Sequence, residues 1–314
     1  MYKRLEVNCV RHSSVYDVGY RPIRKPGRFF FAAGAALGFT RFELNHAVNS
    51  AMLDGLNLNG WRITSIHEPC PADIPMSALK NQNWLISAPD EDNRQRGVAA
   101  VRRSIDLAGK LGAQVVVVHP GRVDIDTDLE TALVDLYKQG RPDEPVYAQA
   151  KERLAAARMS QAEINMRSVR RSLMELAEYA ARRGIRLGLE NRYHYHEIPL
   201  PDELDDLLNL GCGDVVGYWH DVGHAQALEN MGFGSHEEWL RRFAHRIVGV
   251  HLHDIVGVHD HLAAGLGQID WDMVARYLPA DALRTCEFQT FNSPEQVTAG
   301  AQWLAKKTHE SPIP

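Results

Sequence analysis

The sequence predicts an α/β protein, a single (β/α)₈ barrel with long loops at its rim. Two observations carry this prediction. Eight short apolar, β-branched runs recur along the 314 residues with helical segments between them, and histidines and carboxylates follow many of these runs. Strand–helix alternation repeated eight times is typical of such a barrel, which needs about 250 residues. A doubly wound open sheet is the alternative, disfavoured because no glycine-rich phosphate loop follows the first run.

The strand prediction rests on short runs that are rich in Val, Ile and Leu. The run Gln114–Val118 is almost continuously apolar, as expected for a parallel strand that is buried on both faces. The eight predicted strands are Leu5–Val10, Arg41–Leu44, Arg62–Ile66, Gln114–Val118, Arg186–Leu189, Val215–Trp219, Ile247–Leu252 and Leu283–Cys286.

Helical spacing of apolar residues appears between these strands. The predicted helices are Asn93–Leu111, Gln161–Arg183, His236–Ala244 and Pro294–Lys306. Two segments are longer than the connections that a minimal barrel needs, Val10–Gly27 and Arg122–Arg158. We expect both to project from the catalytic rim as loops. The second contains a short helix-like stretch at Thr131–Lys138.

Bulk properties narrow the class of protein. The net charge of −5 gives no sign of the basic face that non-specific nucleic-acid binding needs. No apolar run approaches the roughly 18 residues of a membrane span. The four cysteines form no C-x-x-C pair, and the chain reaches a strand-like run with no signal peptide before it. We therefore expect a cytoplasmic protein in which residues 1–314 form one domain; the sequence does not decide between a monomer and a homo-oligomer.

Chemistry-bearing residues cluster at the carboxyl ends of the predicted strands. Six strands end in or near a histidine or carboxylate, and in a barrel these ends meet around one axis where active sites lie. Neutral imidazole and carboxylate groups are ligands that suit Zn²⁺, Mn²⁺ or Fe²⁺. The strand-end residues are His67, His119, Glu190, Asp221, His251 and Glu287.

The motifs around these residues resemble the xylose-isomerase-like barrel superfamily, which holds sugar isomerases and epimerases as well as apurinic-site endonucleases of the three-zinc type. The resemblance runs from about the second strand to the end of the chain. Each motif alone is weak, but seven in the family's order are specific. They are H-x-P at 67–69, V-H-P-G at 118–121, L-E-N at 189–191, D-x-x-H at 221–224, H-x-x-D at 251–254, H-x-H-x-x-x-G-x-G at 259–267 and Glu287.

The two branches of the superfamily imply different metal contents. The isomerase branch implies one catalytic metal ion on Glu190, Asp221, His251 and Glu287. The endonuclease branch implies three zinc ions: the first on His67, His119 and Glu190, the second on the isomerase set with Glu190 shared, and the third on His224, His259 and His261. This chain matches eight of these nine positions, and the departure is His259, where the three-zinc pattern has Asp.

The first functional hypothesis is a metal-dependent isomerase or epimerase of a small sugar or sugar phosphate. A divalent metal, zinc first and manganese as the alternative, would polarise the substrate, and Glu190 and Glu287 would exchange the proton. Arg192, His194 and His253 are the candidate substrate-binding residues. Xylose isomerases proper have Lys where this chain has Arg192, which disfavours their hydride-shift mechanism.

The second hypothesis is a multizinc phosphoester hydrolase, which the number of ligands favours. Duplex DNA is disfavoured as its substrate, because the loop at 68–73 after His67 is acidic and rich in proline rather than a DNA-penetrating wedge. The candidate phosphate contacts are Arg21, Arg24, Lys25 and Arg28. A non-catalytic binding barrel is the third reading. His253 and Asp254 are expected to orient His251 rather than to bind a metal.

Overall fold

Eight parallel strands form a closed barrel in the computed structural model, which describes residues 6–8, 26–54 and 61–308. For residues 6–8 and 26–30 only the backbone is described. The barrel strands are β1 Glu6–Asn8, β2 Arg41–Leu44, β3 Arg62–His67, β4 Val115–Val118, β6 Arg186–Glu190, β8 Val216–Asp221, β9 Ile247–Leu252 and β12 Leu283–Cys286. Around the barrel the order is β1, β12, β9, β8, β6, β4, β3, β2, and β1 pairs with both β2 and β12.

This arrangement confirms the predicted (β/α)₈ barrel, and the predicted strands agree with the observed ones to within about two residues. The barrel interior is filled by a compact apolar cluster centred on Trp219, with Val115, Val117 and Val248. Gly249 makes room for the indole, since a Cβ built there would lie 2.1 Å from the Trp219 ring. The interior is therefore a packed core, and the open end above it is left for the site.

Helices cover the outside of the barrel. The fold's main hydrophobic core lies between them and the strands, where residues such as Val98, Ile105, Val169 and Leu173 are buried. The helices are α1 Pro26–Ala36, α2 Ser50–Leu53, α3 Met76–Asn81, α4 Glu91–Leu111, α5 Asp128–Lys138, α6 Pro145–Ala181, α7 Pro201–Leu208, α8 Val222–Asn230, α9 His236–Phe243, α10 Trp271–Tyr277 and α11 Pro294–Lys307, with 3₁₀ turns at Gly213–Val215 and Ala244–Arg246. None of the described helices combines the length and the apolar character that crossing a bilayer requires.

The segment Arg122–Arg158 is not the loop that the sequence suggested. It contains α5 and the first four turns of α6, which begins at Pro145 rather than at Gln161. The sequence is polar there, but Tyr147, Leu154 and Leu133 bury their side chains in a small apolar cluster of their own. Of the other predicted loop, Val10–Gly27, only Pro26 and Gly27 lie within the described residues, and they begin α1.

Two short antiparallel ribbons build the rim of the barrel. One pairs β5 Gly121–Arg122 with β7 Glu197–Ile198, and the other pairs β10 Asp254–Val256 with β11 His259–Leu262. The Asp254 carboxylate holds the chain that follows β11, because it accepts hydrogen bonds from Gly265 N (2.8 Å), Ile269 N (3.1 Å) and Trp271 Nε1 (3.1 Å). Asp254 thus fixes the chain after the rim hairpin, and these hydrogen bonds do not orient His251.

Candidate metal centre

The six strand-end residues converge at the open end of the barrel, as the sequence predicted. His67, Glu190 and Asp221 are the last residues of β3, β6 and β8, and His251 lies within β9. His119 and Glu287 follow β4 and β12 directly. Because all eight barrel strands run in the same direction, their carboxyl ends face one axial region.

A central group of four ligand-type residues surrounds the imidazole of His251. Its Nδ1 lies 2.7 Å from Glu190 Oε1, 3.0 Å from Glu287 Oε2 and 3.5 Å from Asp221 Oδ2. One donor atom from each of the four residues lies within 4.8 Å of the others, and all four residues are buried. Four donors from four different strands are thereby held around one small volume.

A second group shares Glu190 with the first. His67 Nε2 and His119 Nε2 face each other at 2.5 Å, and His119 Nε2 lies 2.9 Å from Glu190 Oε2. His67 Nε2 lies 3.8 Å from the same oxygen of Glu190. Two imidazole nitrogens and a carboxylate oxygen therefore point at a common position next to the central group, with Glu190 between the two.

Glu43 is a member of this cluster that the sequence reasoning missed. It lies in β2 with its side chain fully buried, and its Oε1 is 2.9 Å from His251 Nε2 and 3.5 Å from His67 Nδ1. Ser65 Oγ donates to its other oxygen at 2.6 Å. The one available signal was the position of this carboxylate near the end of the second strand, in a run without any histidine.

The charge balance of the cluster is strongly acidic. Burial opposes ionisation of Glu190, but Arg192 and His67 outweigh it and keep the pKa of this carboxyl well below its usual range. Burial likewise disfavours a charged His251, yet Glu287 and Glu43 raise the pKa of its imidazole well above the ordinary value. Carboxylates thus outnumber the permanent cations that contact them. One such cation is Arg192, which forms an ion pair with Glu190.

The donor set fits a divalent metal ion. Asp221 Oδ2 is buried and makes no hydrogen bond within the described part of the chain. Buried polar atoms without a partner cost free energy, and buried carboxylates need a counter-charge. Imidazole nitrogens and carboxylate oxygens are the ligands that Zn²⁺ and Mn²⁺ accept. Glu190, Asp221, His251 and Glu287 would hold such an ion, and His67 and His119 could hold a second one with Glu190.

The residues proposed for a third metal are only partly brought together. His224 and His261 lie near each other, but the third nearby imidazole is His253 and not His259. His259 is exposed, and its ring packs 5.0 Å from that of Phe291.

The geometry of this histidine trio is poorly suited to metal binding. The rings of His253 and His261 stack at 4.2 Å with an angle of 4°, so their in-plane lone pairs do not converge. Both nitrogens of His253 are also engaged, Nε2 with Asp221 Oδ1 at 3.0 Å and Nδ1 as acceptor from His261 N at 2.9 Å. His253 therefore supports Asp221 rather than His251, the residue that we expected it to orient.

Two of the predicted substrate-binding residues lie on the loop after β6. Arg192 is buried, pairs with Glu190, and reaches Glu197 at 3.4 Å through Nε. His194 is half exposed at the rim, with Nδ1 3.2 Å from Glu130 Oε1. Beside them, a small cavity of about 30 Å³ adjoins the cluster at His119, and the residues lining it include Glu68, Leu79, Lys80, Trp84, His119 and Arg122.

Glu130 on α5 holds this loop in a second cluster, which we term the rim clasp: Glu130, His194 and His196. Glu130 Oε2 lies 2.5 Å from His196 Nδ1, and the same carboxylate accepts from Tyr195 N at 2.9 Å and His196 N at 3.2 Å. Burial raises the pKa of Glu130, but the hydrogen bonds from His194 and His196 outweigh it and lower the pKa to about 2. Two backbone donors and two imidazoles leave this carboxylate fully occupied.

A closed parallel barrel with imidazole and carboxylate donors at its carboxyl end defines a class of barrel enzymes. Comparison with known families agrees: residues 31–307 match the xylose isomerase-like TIM barrel, and this chain belongs to that family. A curated relative is the "Uncharacterized protein y4fM" of Sinorhizobium fredii, 23% identical over 289 residues that span 90% of this chain and 78% of the relative.

Solved structures share the fold at low sequence identity. D-psicose 3-epimerase from Clostridium cellulolyticum H10, crystallised with D-tagatose, is 14% identical with a TM-score of 0.63, covering 98% of this chain and 99% of its own. The IOLI protein with a binding zinc atom is 15% identical with a TM-score of 0.59, covering 98% and 95%. Other matches are L-ribulose 3-epimerase, D-allulose 3-epimerase from Methylomonas sp. and a D-tagatose 3-epimerase-like protein. At these identities the comparison establishes the fold.

Proposed function

We propose that this protein is a metal-dependent isomerase or epimerase of a small polyhydroxylated substrate, a sugar or sugar phosphate. The observation that carries the proposal is the central group, in which Glu190, Asp221 and Glu287 surround Nδ1 of His251. The sugar 3-epimerases among the structural matches support the substrate class.

Zinc is the metal that we propose first, with manganese as the alternative. The zinc bound in the IOLI protein and the mixture of imidazole and carboxylate donors support this choice. When bound, such an ion would polarise a carbonyl or hydroxyl oxygen and acidify the adjacent C–H bond.

Glu190 and Glu287 are the proposed proton-transfer residues. Both carboxylates approach His251 Nδ1, at 2.7 and 3.0 Å, and they come from strands on different sides of the barrel end. A substrate carbon held between them could lose its proton to one and regain it from the other, the arrangement that inversion at a carbon requires. Arg192, His194 and His253 remain predicted substrate contacts.

The second candidate function is a multizinc phosphoester hydrolase. The group His67, His119 and Glu190 favours it, because a one-metal isomerase does not need two further imidazoles at 2.5 Å. The stacked His253 and His261 and the exposed His259 disfavour it, because they do not form a third metal site.

Two measurements on the purified, metal-loaded protein test the choice. Proton exchange is followed as deuterium incorporation from D₂O into ketoses and ketose phosphates, and metal content is measured by elemental analysis. Exchange that a chelator abolishes, with about one metal ion per chain, supports the epimerase. About three zinc ions with chelator-sensitive nicking of abasic duplex DNA would establish the hydrolase instead.

We also propose a cytoplasmic location. The support is that the four cysteines are spread along the chain without a C-x-x-C pair, a pattern typical of reduced cysteines in a cytosolic protein.

A further inference from the structure

Glu43 occupies a place that neither the family motifs nor the proposed proton transfer accounts for. Its carboxylate is fully buried on the second strand, which contributes none of the predicted ligands. Oε1 lies 2.9 Å from His251 Nε2 and 3.5 Å from His67 Nδ1, and Oε2 accepts from Ser65 Oγ at 2.6 Å. The three contacts come from β9 and β3, so one carboxylate joins three strands.

We propose that Glu43 is a positioning residue that orients His251 and His67 toward the metal ligand sets; this inference rests on the proposed function. A histidine that binds a metal through one ring nitrogen needs a partner on the other, which fixes the tautomer and the ring plane. Glu43 accepts from His251 Nε2 and thereby directs Nδ1 toward Glu190, Asp221 and Glu287, where the deprotonated nitrogen would bind a metal ion.

The same carboxylate links the two ligand sets. His251 belongs to the central group and His67 to the group with His119, and their rings stack at 5.1 Å with Glu43 bordering both. Glu190 bridges the two groups on the ligand side, and Glu43 bridges them on the opposite nitrogens. A direct ligand role for Glu43 fits less well, because Ser65 and two imidazoles already engage its oxygens.

Zn²⁺ affinity measured by competition with a chromogenic chelator tests this inference directly. Partners of metal ligands typically change affinity by about 10–100-fold. Glu43→Gln keeps an acceptor oxygen and should weaken binding about tenfold, whereas Glu43→Leu keeps the approximate volume but removes the acceptor and should weaken it about a hundredfold. Loading with Co²⁺ gives a second readout, because a reoriented His251 changes the d–d absorption spectrum.

Glu175→Gln is the control, since Glu175 forms an ion pair with Arg94 between α4 and α6 and lies outside both ligand sets. Its Zn²⁺ affinity should equal that of the wild-type protein, and circular dichroism verifies the fold of every variant. If Glu43→Leu fails to fold, Glu43→Gln alone decides.

The outcomes separate the two proposals. An unchanged affinity and Co²⁺ spectrum in folded Glu43→Gln would overturn the positioning role alone. Wild-type protein that binds Zn²⁺ but catalyses no proton exchange would overturn the proposed function alone. Wild-type protein that binds no divalent metal would overturn both.

Discussion

Glu190 at the barrel axis and Glu130 at the rim are both buried carboxylates that contact histidines. They differ in whether backbone N–H groups also donate hydrogen bonds to them. Glu130 accepts two backbone N–H groups and two imidazole donors, so the rim clasp is complete within the protein. The histidines that contact Glu190 also contact Asp221, Glu287 and Glu43. Within the described residues, the neighbouring Asp221 Oδ2 makes no hydrogen bond.

The comparison shows how a structural cluster can be told from a metal site when both have the same residue types. A carboxylate whose acceptor capacity is filled by backbone donors holds a loop. Several carboxylates around one imidazole leave negative charge uncompensated, which a bound cation would neutralise. On that reasoning the His₂Glu composition of the rim clasp is not an argument for metal.

The largest expected effect comes from Glu190→Gln, which would remove the carboxylate common to both ligand groups. Loss of a proton-transfer residue costs about 10²–10⁴-fold in rate, and metal affinity should also fall. Exchange of substrate deuterium and Zn²⁺ content measure the two effects. Glu175→Gln, which breaks an ion pair with Arg94 at 2.7 Å between α4 and α6, is the control and should retain both. Full metal content and activity in Glu190→Gln would contradict the central assignment.

A smaller effect on stability, and none on metal binding, is expected from Glu130→Gln. The pKa of Glu130 is about 2 in the folded protein against an ordinary value of 4.5. A lowered pKa means that ionised Glu130 stabilises the fold above pH 4.5, and that this contribution disappears as the pH falls toward 2. The shift corresponds to about 3 kcal/mol.

Urea unfolding of metal-free protein as a function of pH measures this contribution. The wild-type and Glu130→Gln proteins should differ by about 3 kcal/mol at neutral pH and converge near pH 2. A difference that does not shrink as the pH falls would show that the lowered pKa of Glu130 is not the source of the stability.

The smallest expected effect is that of His259→Ala. His259 is exposed and contacts Phe291, so its removal should change Zn²⁺ affinity and metal content by less than about twofold. Loss of one bound zinc ion in this variant would show that His259 is a metal ligand. The rim would then hold a third zinc site, and the hydrolase would become the favoured function.

Much of the barrel and most of the ligand set were predictable because the relevant signals are local. An apolar run identifies a buried strand, and a histidine or carboxylate at its carboxyl end points to the axis in any such barrel. Glu43 obeys the same rule but stands alone, without a motif, and a single strand-end carboxylate is ordinary in sequence.

The rim was less predictable because its geometry depends on backbone detail. Alternation along β11 would place His259 and His261 on one face. His261 instead has φ of 60°, and the pairing with β10 shifts register, so His261 turns toward His224 while His259 faces outward. The early start of α6 was hidden for a similar reason: its first turns pack on α5, and the sequence there is too polar to indicate burial against the barrel.

Helix α6 spans 37 residues, about 55 Å, and its first turns carry a hydrophobic cluster separate from the barrel core. That cluster, with Leu133, Tyr147 and Leu154, supports α5 and through Glu130 the loop that contains Arg192 and His194. One edge of the candidate site thus rests on the packing between α5 and α6. Substitutions there can reshape the approach to the candidate metal centre while Glu190 and Glu287 stay in place, which makes residues 122–158 the segment to vary in tests of the proposed substrate preference.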